Sequence, residues 1–224
     1  MFDLTLSFDN GPEPDVTPGV LDVLALENIH STFFVIGDKI ADPARRRFAE
    51  RAHAEGHWIG NHSMHHTLPL GDAADPATAA VEEIDGAQSH LGGLAHPDRL
   101  FRPFGRGGAI GPHLFSRAAI VRLTEGGYTT VLWNSIPRDW AEPDAWVETA
   151  LAQCRLHAWS LMVLHDLPTG AMCHLERFIG RAREAGARFR QDFPPECVPI
   201  VRGKLMRSMS GLVNQAQAPG PLQQ

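Results

Sequence analysis

Two short stretches of the chain carry the side chains best suited to catalysis. Asp9 lies in the stretch Leu6–Pro12, and His62 and His66 lie four residues apart some fifty residues later. An acidic side chain at a strand end and two imidazoles at this spacing can together hold a metal ion and activate water. Asn10 is the unusual residue, because a second carboxylate at its position would make the metal site far more conventional.

The spacing of His62 and His66 predicts that both rings project from one face of a helical turn and converge on one ion. Two histidines at this spacing also arise by chance in a chain with 12 histidines, and His65 is a spare candidate. The pair gains weight because a short strand ending at Gly60 delivers it to the same rim of the fold as Asp9.

Strand and helix patterns alternate along the chain about seven times. In the first pattern, Leu4, Leu6 and Phe8 alternate with polar residues, which predicts a strand with one polar face. The further strands are predicted over residues 31–36, 57–60, 100–101, 128–133, 161–164 and 187–189. The longer helices are predicted over residues 43–55, 77–91, 112–126, 143–157 and 175–184. This order requires parallel strands that are joined by crossover helices.

A barrel explains the positions of the polar residues better than an open sheet does. Five of them lie at or just beyond predicted strand ends, where barrel enzymes build their sites: Asp9, His62, Arg102, Asp139 and His165. No glycine-rich dinucleotide fingerprint follows the first strand, so a Rossmann fold is excluded. We predict an α/β fold, a distorted (β/α)7-type barrel formed as a single domain by residues 1–200. For residues 201–224, where the periodicity ends, we expect a partly disordered C-terminal tail.

Composition narrows the possible partners and the compartment. The 224 residues suffice for one sizeable domain, and the net charge of −6 argues against a nucleic-acid or anionic-membrane partner. No apolar run approaches the roughly 20 residues that span a bilayer. The stretch Met1–Leu4 enters a strand directly, without the charged start and apolar core of a secretion signal. We therefore expect a cytoplasmic protein.

Five short motifs resemble those of the polysaccharide deacetylases of the NodB-homology type, carbohydrate esterase family 4. In order, they are Ser7-Phe8-Asp9-Asn10-Gly11-Pro12, His62-Ser63-Met64-His65-His66, Phe101-Arg102-Pro103-Phe104-Gly105, Asp139-Trp140 and Leu164-His165-Asp166. The third motif is shortened, since it lacks one proline and the usual tyrosine. Each motif alone is weak evidence, but five in the family's order are strong. The family's distorted barrel of about seven strands agrees with the pattern above.

The resemblance assigns the catalytic roles to four residues. It implies that Asp9 is the general base and that Arg102 is the ion-pair partner that orients it. His165 is then the general acid that protonates the departing amine, and Asp139 holds His165 in the required tautomer.

The same resemblance implies a metal site with one departure from the family. His62 and His66 are the matching ligands, while Asn10 takes the place of an aspartate that is the third ligand in the family. A neutral amide oxygen binds divalent ions less tightly than a carboxylate does. Proton transfer from bulk water to an aspartate costs about 16 kcal/mol, against about 4 kcal/mol once zinc has acidified the water. We expect a divalent metal, with zinc as the first choice.

The substrate residues and the reaction also follow from the resemblance. Trp140 and Leu164 are predicted to wall an apolar pocket for an acyl methyl, and the backbone N–H near Phe104 is predicted to stabilise the oxyanion. The predicted activity is hydrolysis of a non-peptide C–N bond, the metal-assisted removal of acetyl from an N-acetylated sugar or small oligosaccharide. Asn10 leaves two alternatives: a metal-independent, allantoinase-like amidohydrolase of a small molecule, or a carbohydrate-binding protein without catalysis. The presence of a matched base and acid favours catalysis.

Overall fold

The strands of the computed structural model form one curled, mostly parallel sheet. The structure describes residues 1–215, and within them we number nine strands in chain order. They are β1 Phe2–Asp9, β2 Thr32–Val35, β3 Trp58–Asn61, β4 Leu100–Phe101, β5 Thr129–Thr130, β6 Trp159–His165, β7 Ala187–Arg190, β8 Ile200–Val201 and β9 Lys204–Leu205.

Eight α-helices lie between or beside these strands in the described part of the chain. They are α1 Thr17–Leu26, α2 Gly37–Ala41, α3 Pro43–Ala54, α4 Pro76–Ala80, α5 Ala87–Leu91, α6 Arg117–Glu125, α7 Trp146–Gln153 and α8 Leu175–Glu184. A π-helical segment, Val81–Gly86, joins α4 to α5 and makes one continuous helix of the region predicted over residues 77–91. Within residues 1–215, no helix has the length and apolar character to cross a membrane.

The pairing of the strands explains how the sheet curls. β1 pairs in parallel with β6, β2 and β7, and β2 to β5 continue the parallel order. A parallel bridge between Ser135 and Met162 then brings the chain after β5 back to β6. The structure therefore confirms the predicted α/β fold with a distorted (β/α)7-type barrel.

Side chains on β1 alternate between two environments. Leu4, Leu6 and Phe8 pack with helical side chains in the largest hydrophobic cluster. Ser7 and Asp9 point to the other face, where both accept hydrogen bonds from one arginine. The polar face predicted for the first strand is thus the face that carries the candidate site.

Three predicted elements are shorter in the structure. The helix expected from residue 112 begins at Arg117, because the Ser116 hydroxyl accepts a backbone N–H of the first turn, and Pro112–Leu114 is a separate 3₁₀ turn. The strand expected over residues 128–133 is paired only in β5, and the helix expected over residues 143–157 is limited to α7.

Residues 201–215, which the sequence pattern assigns to the tail, lie against the barrel. β8 and β9 form an antiparallel hairpin on the edge of β5, and Met209 and Leu212 are buried in the cluster that contains Phe115. Strands of two residues are too short for a periodic sequence signal, which explains why this packing was not predicted. The remainder of the predicted tail, residues 216–224, lies outside the described residues.

Candidate active site

A cavity of about 180 Å³ opens at the carboxyl ends of the parallel strands. Seven of the ten predicted site residues line it: Asp9, Asn10, His62, His66, Phe104, Trp140 and His165. The register explains their meeting, because Asp9 at the end of β1 is directly opposite His165 at the end of β6. Four stretches that are distant in the sequence therefore meet at one mouth of the barrel, as predicted.

Asp9 and Arg102 form a buried ion pair behind the cavity. The Arg102 Nη1 donates to Asp9 Oδ1 at 2.7 Å and to the Ser7 hydroxyl at 2.7 Å. The other guanidinium nitrogens donate to the carbonyls of Val131 and Leu132 at 3.3 and 3.2 Å. Every side of the guanidinium is thus engaged, so that the Asp9 carboxylate is held in one orientation.

Burial of Arg102 removes its charge from water, which has an electrostatic cost. Arg102 is fully buried, and its guanidinium stacks over the Phe34 ring at 4.0 Å. Burial lowers the pKa of Arg102, and the charge and hydrogen bond of Asp9 offset part of that effect. A buried charge of this kind is tolerated only with its partner in place.

His165 and Asp139 form the second pair at the rim. His165 Nδ1 lies 2.9 Å from Asp139 Oδ1, and the backbone N–H of His165 donates to Asp139 Oδ2 at 2.8 Å. Burial alone would lower the pKa of His165, but the hydrogen bond and charge of Asp139 outweigh it and raise that pKa. Because Nδ1 faces Asp139, Nε2 is the ring nitrogen left for proton exchange with a substrate.

His62 and His66 are adjacent, but the helical turn predicted for them is wrong. Ser63 and His66 have φ angles of 72° and 53°, in the left-handed region, and the segment is a loop after β3. The loop still brings the two rings to a centroid separation of 4.7 Å. His62 Nδ1 lies 2.9 Å from the Arg102 carbonyl, which fixes the ring so that Nε2 lies 3.5 Å from Asp9 Oδ2.

The rings of His62 and His66 are in the protonation state that can bind a metal ion. Burial lowers the pKa of His62 and that of His66 to about 3 each, so both imidazoles are unprotonated at neutral pH. A neutral imidazole is the form that binds a metal ion.

Asn10 lines the same cavity. Its backbone has a φ of 73°, and its side-chain Oδ1 is buried without a hydrogen-bond partner. Within residues 1–215, no group of three or more His, Cys, Asp or Glu side chains is arranged to hold a metal, since the third candidate here is an amide. Two neutral nitrogens and an unpartnered oxygen nevertheless fit a divalent ion in donor type, although the ligand set carries no negative charge.

The apolar wall of the cavity differs from the prediction in one residue. The Trp140 ring lies 4.6 Å from the His165 ring, and the Phe104 ring lies 4.0 Å from the His66 ring, so both residues are at the site. Leu164 is instead fully buried in the cluster under the helices. Side chains alternate along a strand, so that Val163 shares the cavity face with His165 and takes the place predicted for Leu164.

Four further apolar residues line the cavity and were not predicted as site residues: Pro103, Trp133, Ile136 and Leu167. Trp133 donates from Nε1 to the Gly108 carbonyl at 2.9 Å. A β-carbon at Gly105 would lie 2.2 Å from the Trp133 ring, so only glycine fits there. One signal was present in the sequence, because Trp133 closes a predicted strand in the same way as the polar site residues do.

Comparisons with known proteins identify the family of the chain. A family model described as polysaccharide deacetylase matches residues 3–110. The chain is 33% identical over 165 residues to the chitooligosaccharide deacetylase of Bradyrhizobium sp. (strain ANU 289), covering 72% of this chain and 69% of the relative. It is 34% identical over 167 residues to the peptidoglycan-N-acetylglucosamine deacetylase of Bacillus cereus (strain ATCC 14579), a match that covers 73% of this chain and 72% of the relative.

A solved structure shows the same architecture. The Bc1960 peptidoglycan N-acetylglucosamine deacetylase is 25% identical to this chain, superposes with a TM-score of 0.70 and matches 87% of either chain. The fold and the sequence relatives therefore define an enzyme of the carbohydrate esterase class with a NodB-homology barrel. The chain belongs to the polysaccharide deacetylase family. As predicted, it is a deacetylase-like hydrolase of amide C–N bonds.

Proposed function

We propose that this enzyme removes the acetyl group from an N-acetylated sugar or small oligosaccharide with the help of a divalent metal. The named activities of the relatives, on chitooligosaccharide and peptidoglycan, support the substrate class. The observation that carries the proposal is the presence of both catalytic pairs, Asp9–Arg102 and His165–Asp139, at one cavity.

Asp9 is the general base of the proposed reaction. Its carboxylate accepts a proton from the attacking water while Arg102 keeps the carboxylate aimed into the cavity. The uncompensated desolvation of a buried carboxylate would otherwise be costly, so that the ion pair serves both orientation and stability.

His165 is the general acid. After the water has added to the carbonyl carbon, the C–N bond breaks and the leaving amine takes a proton from His165 Nε2. Asp139 favours the protonated ring through its hydrogen bond to Nδ1, consistent with the raised pKa of His165. A proton transfer of this kind contributes typically about 10²- to 10⁴-fold to the rate.

The proposed metal ligands are His62, His66 and Asn10. A divalent ion held there would act as a Lewis acid that lowers the pKa of water near Asp9. Imidazole nitrogens favour zinc among the common divalent ions, while the neutral amide of Asn10 weakens the site relative to a carboxylate. Zinc is therefore our choice of metal.

The apolar wall selects the acyl group. Trp140 and Val163 face the cavity beside His165, where their apolar surfaces would enclose the methyl of an acetyl group. The backbone N–H of Phe104 is the proposed donor to the oxyanion that forms on the carbonyl oxygen.

One observation favours a second candidate function. The neutral ligand set around Asn10 suits a metal-independent amidohydrolase better than it suits most metalloenzymes. The same residue also suits a carbohydrate-binding protein without activity, but such a protein has no need of two buried acid–base pairs.

The decisive experiment measures acetate release from a panel of N-acetylated sugars and chitooligosaccharides. Wild type and Asn10→Asp are assayed after chelation and after addition of zinc, cobalt or other divalent ions. Asn28→Asp is the control for added charge, because Asn28 lies in the turn before β2, at the opposite end of the strands. Intact-mass measurement and peptide mapping of the wild-type protein are included to check that residue 10 is asparagine and has not been deamidated to aspartate.

Metal-dependent acetate release by wild type, with tighter metal binding and equal or higher activity in Asn10→Asp, is the expected result. Activity that survives chelation and ignores added metal points instead to the metal-independent amidohydrolase. Sugar binding without acetate release under any condition, in wild type and Asn10→Asp alike, contradicts catalysis and leaves the binding function.

A further inference from the structure

A lysine outside the five motifs contacts the residue that distinguishes this chain. Lys39 lies in α2, and its Nζ donates to the backbone carbonyl of Asn10 at 2.6 Å. The same ammonium donates to Glu13 Oε1 at 2.5 Å. Lys39 and Glu13 are both largely shielded from solvent, with side-chain exposures of 23% and 14%.

Glu13 keeps this lysine in place. Its second oxygen, Oε2, accepts a hydrogen bond from Arg45 at 2.5 Å. Burial would raise the pKa of Glu13, but the hydrogen bonds from Lys39 and Arg45 outweigh burial and lower it. The ammonium therefore has a charged partner besides the carbonyl, which also reduces its repulsion of a cation in the cavity.

Asn10 needs such restraint because of its backbone conformation. A φ of 73° places it in the left-handed region, which costs a non-glycine residue roughly 1 kcal/mol or more and which asparagine tolerates better than most residues. The contact of Lys39 with this carbonyl restrains the ψ torsion of Asn10 and so helps to keep its backbone in the left-handed conformation. That backbone conformation sets where the Asn10 side chain begins relative to β1.

The residue after Asn10 is held independently. A β-carbon on Gly11 would come within 2.1 Å of Asp166 Oδ2, so the loop packs directly on this buried carboxyl group. Thr17 links this loop to Asp166, because its hydroxyl donates a hydrogen bond to Asp166 Oδ2 at 2.5 Å and accepts one from the backbone N–H of Glu13 at 2.7 Å. Lys39 is thus the one contact that acts on the carbonyl of Asn10 itself among those recorded for residues 1–215.

We propose that Lys39 is a positioning residue: by holding the Asn10 backbone, it sets the position from which the amide oxygen can reach an ion bound by His62 and His66. This inference rests on the metal-assisted function proposed above. A carboxylate binds a cation through its charge over a range of orientations, whereas a neutral amide must present its oxygen accurately to bind at all. The contact of Lys39 with Asn10 should therefore affect metal affinity more than the same contact would if residue 10 were aspartate.

Zinc titration of the metal-free protein by calorimetry tests the role of Lys39. Loss of an outer partner of a metal ligand typically weakens metal binding about 10- to 100-fold, and we expect Lys39→Met to fall in this range. Lys39→Arg keeps a donor and a positive charge, so we expect it to recover most of the affinity. Lys204→Met is the matched control, because Lys204 is the only other lysine of the chain and lies on the exposed strand β9.

The control should bind zinc within about twofold of wild type, since an exposed charge of this kind is screened by solvent. Thermal unfolding of each metal-free variant shows whether the fold is intact. A folded Lys39→Met that binds zinc as tightly as wild type overturns the inference and leaves the metal site standing. Wild-type protein that binds no zinc overturns the metal site as well, so the two failures are distinguishable.

The same titration in the Asn10→Asp background sharpens the result. If Lys39 acts by aiming a weak ligand, Lys39→Met should weaken zinc binding less when residue 10 is a carboxylate. An equal or larger loss in the Asp background would contradict the positioning role.

Discussion

The two halves of the active site are built in different ways. In the acid–base half, Asp9 and His165 each have a charged partner, Arg102 and Asp139, at 2.7 and 2.9 Å. In the metal half, the two imidazoles are neutral and the Asn10 amide oxygen is buried without a partner. The acid–base half is electrostatically complete within the protein, while the metal half is a set of donors that only a ligand can complete.

This difference separates stability from function. Buried charges such as Arg102 must stay paired for the fold to be stable, so the acid–base half is also part of the structural core. In the metal half, His62 is buried and hydrogen-bonded to the Arg102 carbonyl, whereas His66 is only partly buried and belongs to none of the ion pairs in residues 1–215. A substitution in the first half should therefore affect stability and catalysis together, whereas one at His66 should affect metal binding with a smaller effect on stability.

The largest effect is expected for Arg102→Met. This substitution leaves the Asp9 carboxylate buried without its partner, and we expect a loss of about 3–5 kcal/mol in the free energy of unfolding. Acetate release should fall about 1000-fold, because the base loses its orientation. Chemical denaturation and the acetate assay measure the two effects, with Arg106→Met as the control, since Arg106 is exposed and pairs only with Asp72 among the recorded contacts.

An intermediate effect is expected for Asp139→Asn. The amide can accept only one of the two hydrogen bonds from His165, so the free energy of unfolding should fall by about 1–3 kcal/mol. The general acid must be protonated, so wild-type activity is lost as pH rises through the raised pKa of His165. Without the carboxylate, that descending limb of the pH–rate profile should move to lower pH, and kcat should fall about 100-fold.

The stability profile gives a second check on the same pair. Because the pKa of His165 is raised in the folded state, its pairing with Asp139 contributes stability fully below the unfolded pKa of about 6.5. This contribution is lost as pH rises through the folded pKa. Asp139→Asn should therefore lose more stability at pH 5 than at pH 9, and an equal loss at both would contradict the assigned cause.

The smallest effect on folding is expected for His66→Gln. His66 belongs to none of the ion pairs in residues 1–215, and the substitution removes its ring contacts with His62 and Phe104, so the free energy of unfolding should fall by about 1 kcal/mol or less. Zinc affinity should nevertheless fall at least about 10-fold, because a ligand is lost outright. Strong destabilisation of the metal-free protein by this change would break the distinction between the two halves.

Most of the site was predictable because strand ends are visible in the sequence. Asp9, Arg102 and His165 each lie at or just beyond the end of a predicted strand, and parallel strands bring such positions to one end of a barrel. The motifs of the family then assigned their roles. The pairing of His165 with Asp139, 26 residues apart, required the resemblance, since sequence spacing alone links neither residue to the other.

The incorrect predictions arose where a local sequence pattern does not determine where a side chain or a segment lies. Leu164 was placed in the pocket because it adjoins His165, but the alternation of β6 turns it toward the helices and Val163 toward the cavity. The spacing of His62 and His66 matched a helical turn, yet left-handed residues form a loop that brings the rings equally close. The packing of residues 201–215 depends on Phe115 and β5, which no local signal indicates.

The sequence alone determined the alternation of strands and helices, the family, and the identity of most of the polar residues that meet at the cavity. Periodicity and motif order are properties of the linear chain, so they can be read without coordinates. Tertiary structure alone decided which side of β6 faces the cavity, the neutrality of the two imidazoles, and the contact of Lys39 with the Asn10 carbonyl. These depend on burial and on atoms that are distant in the chain, and only the packed barrel brings such atoms together.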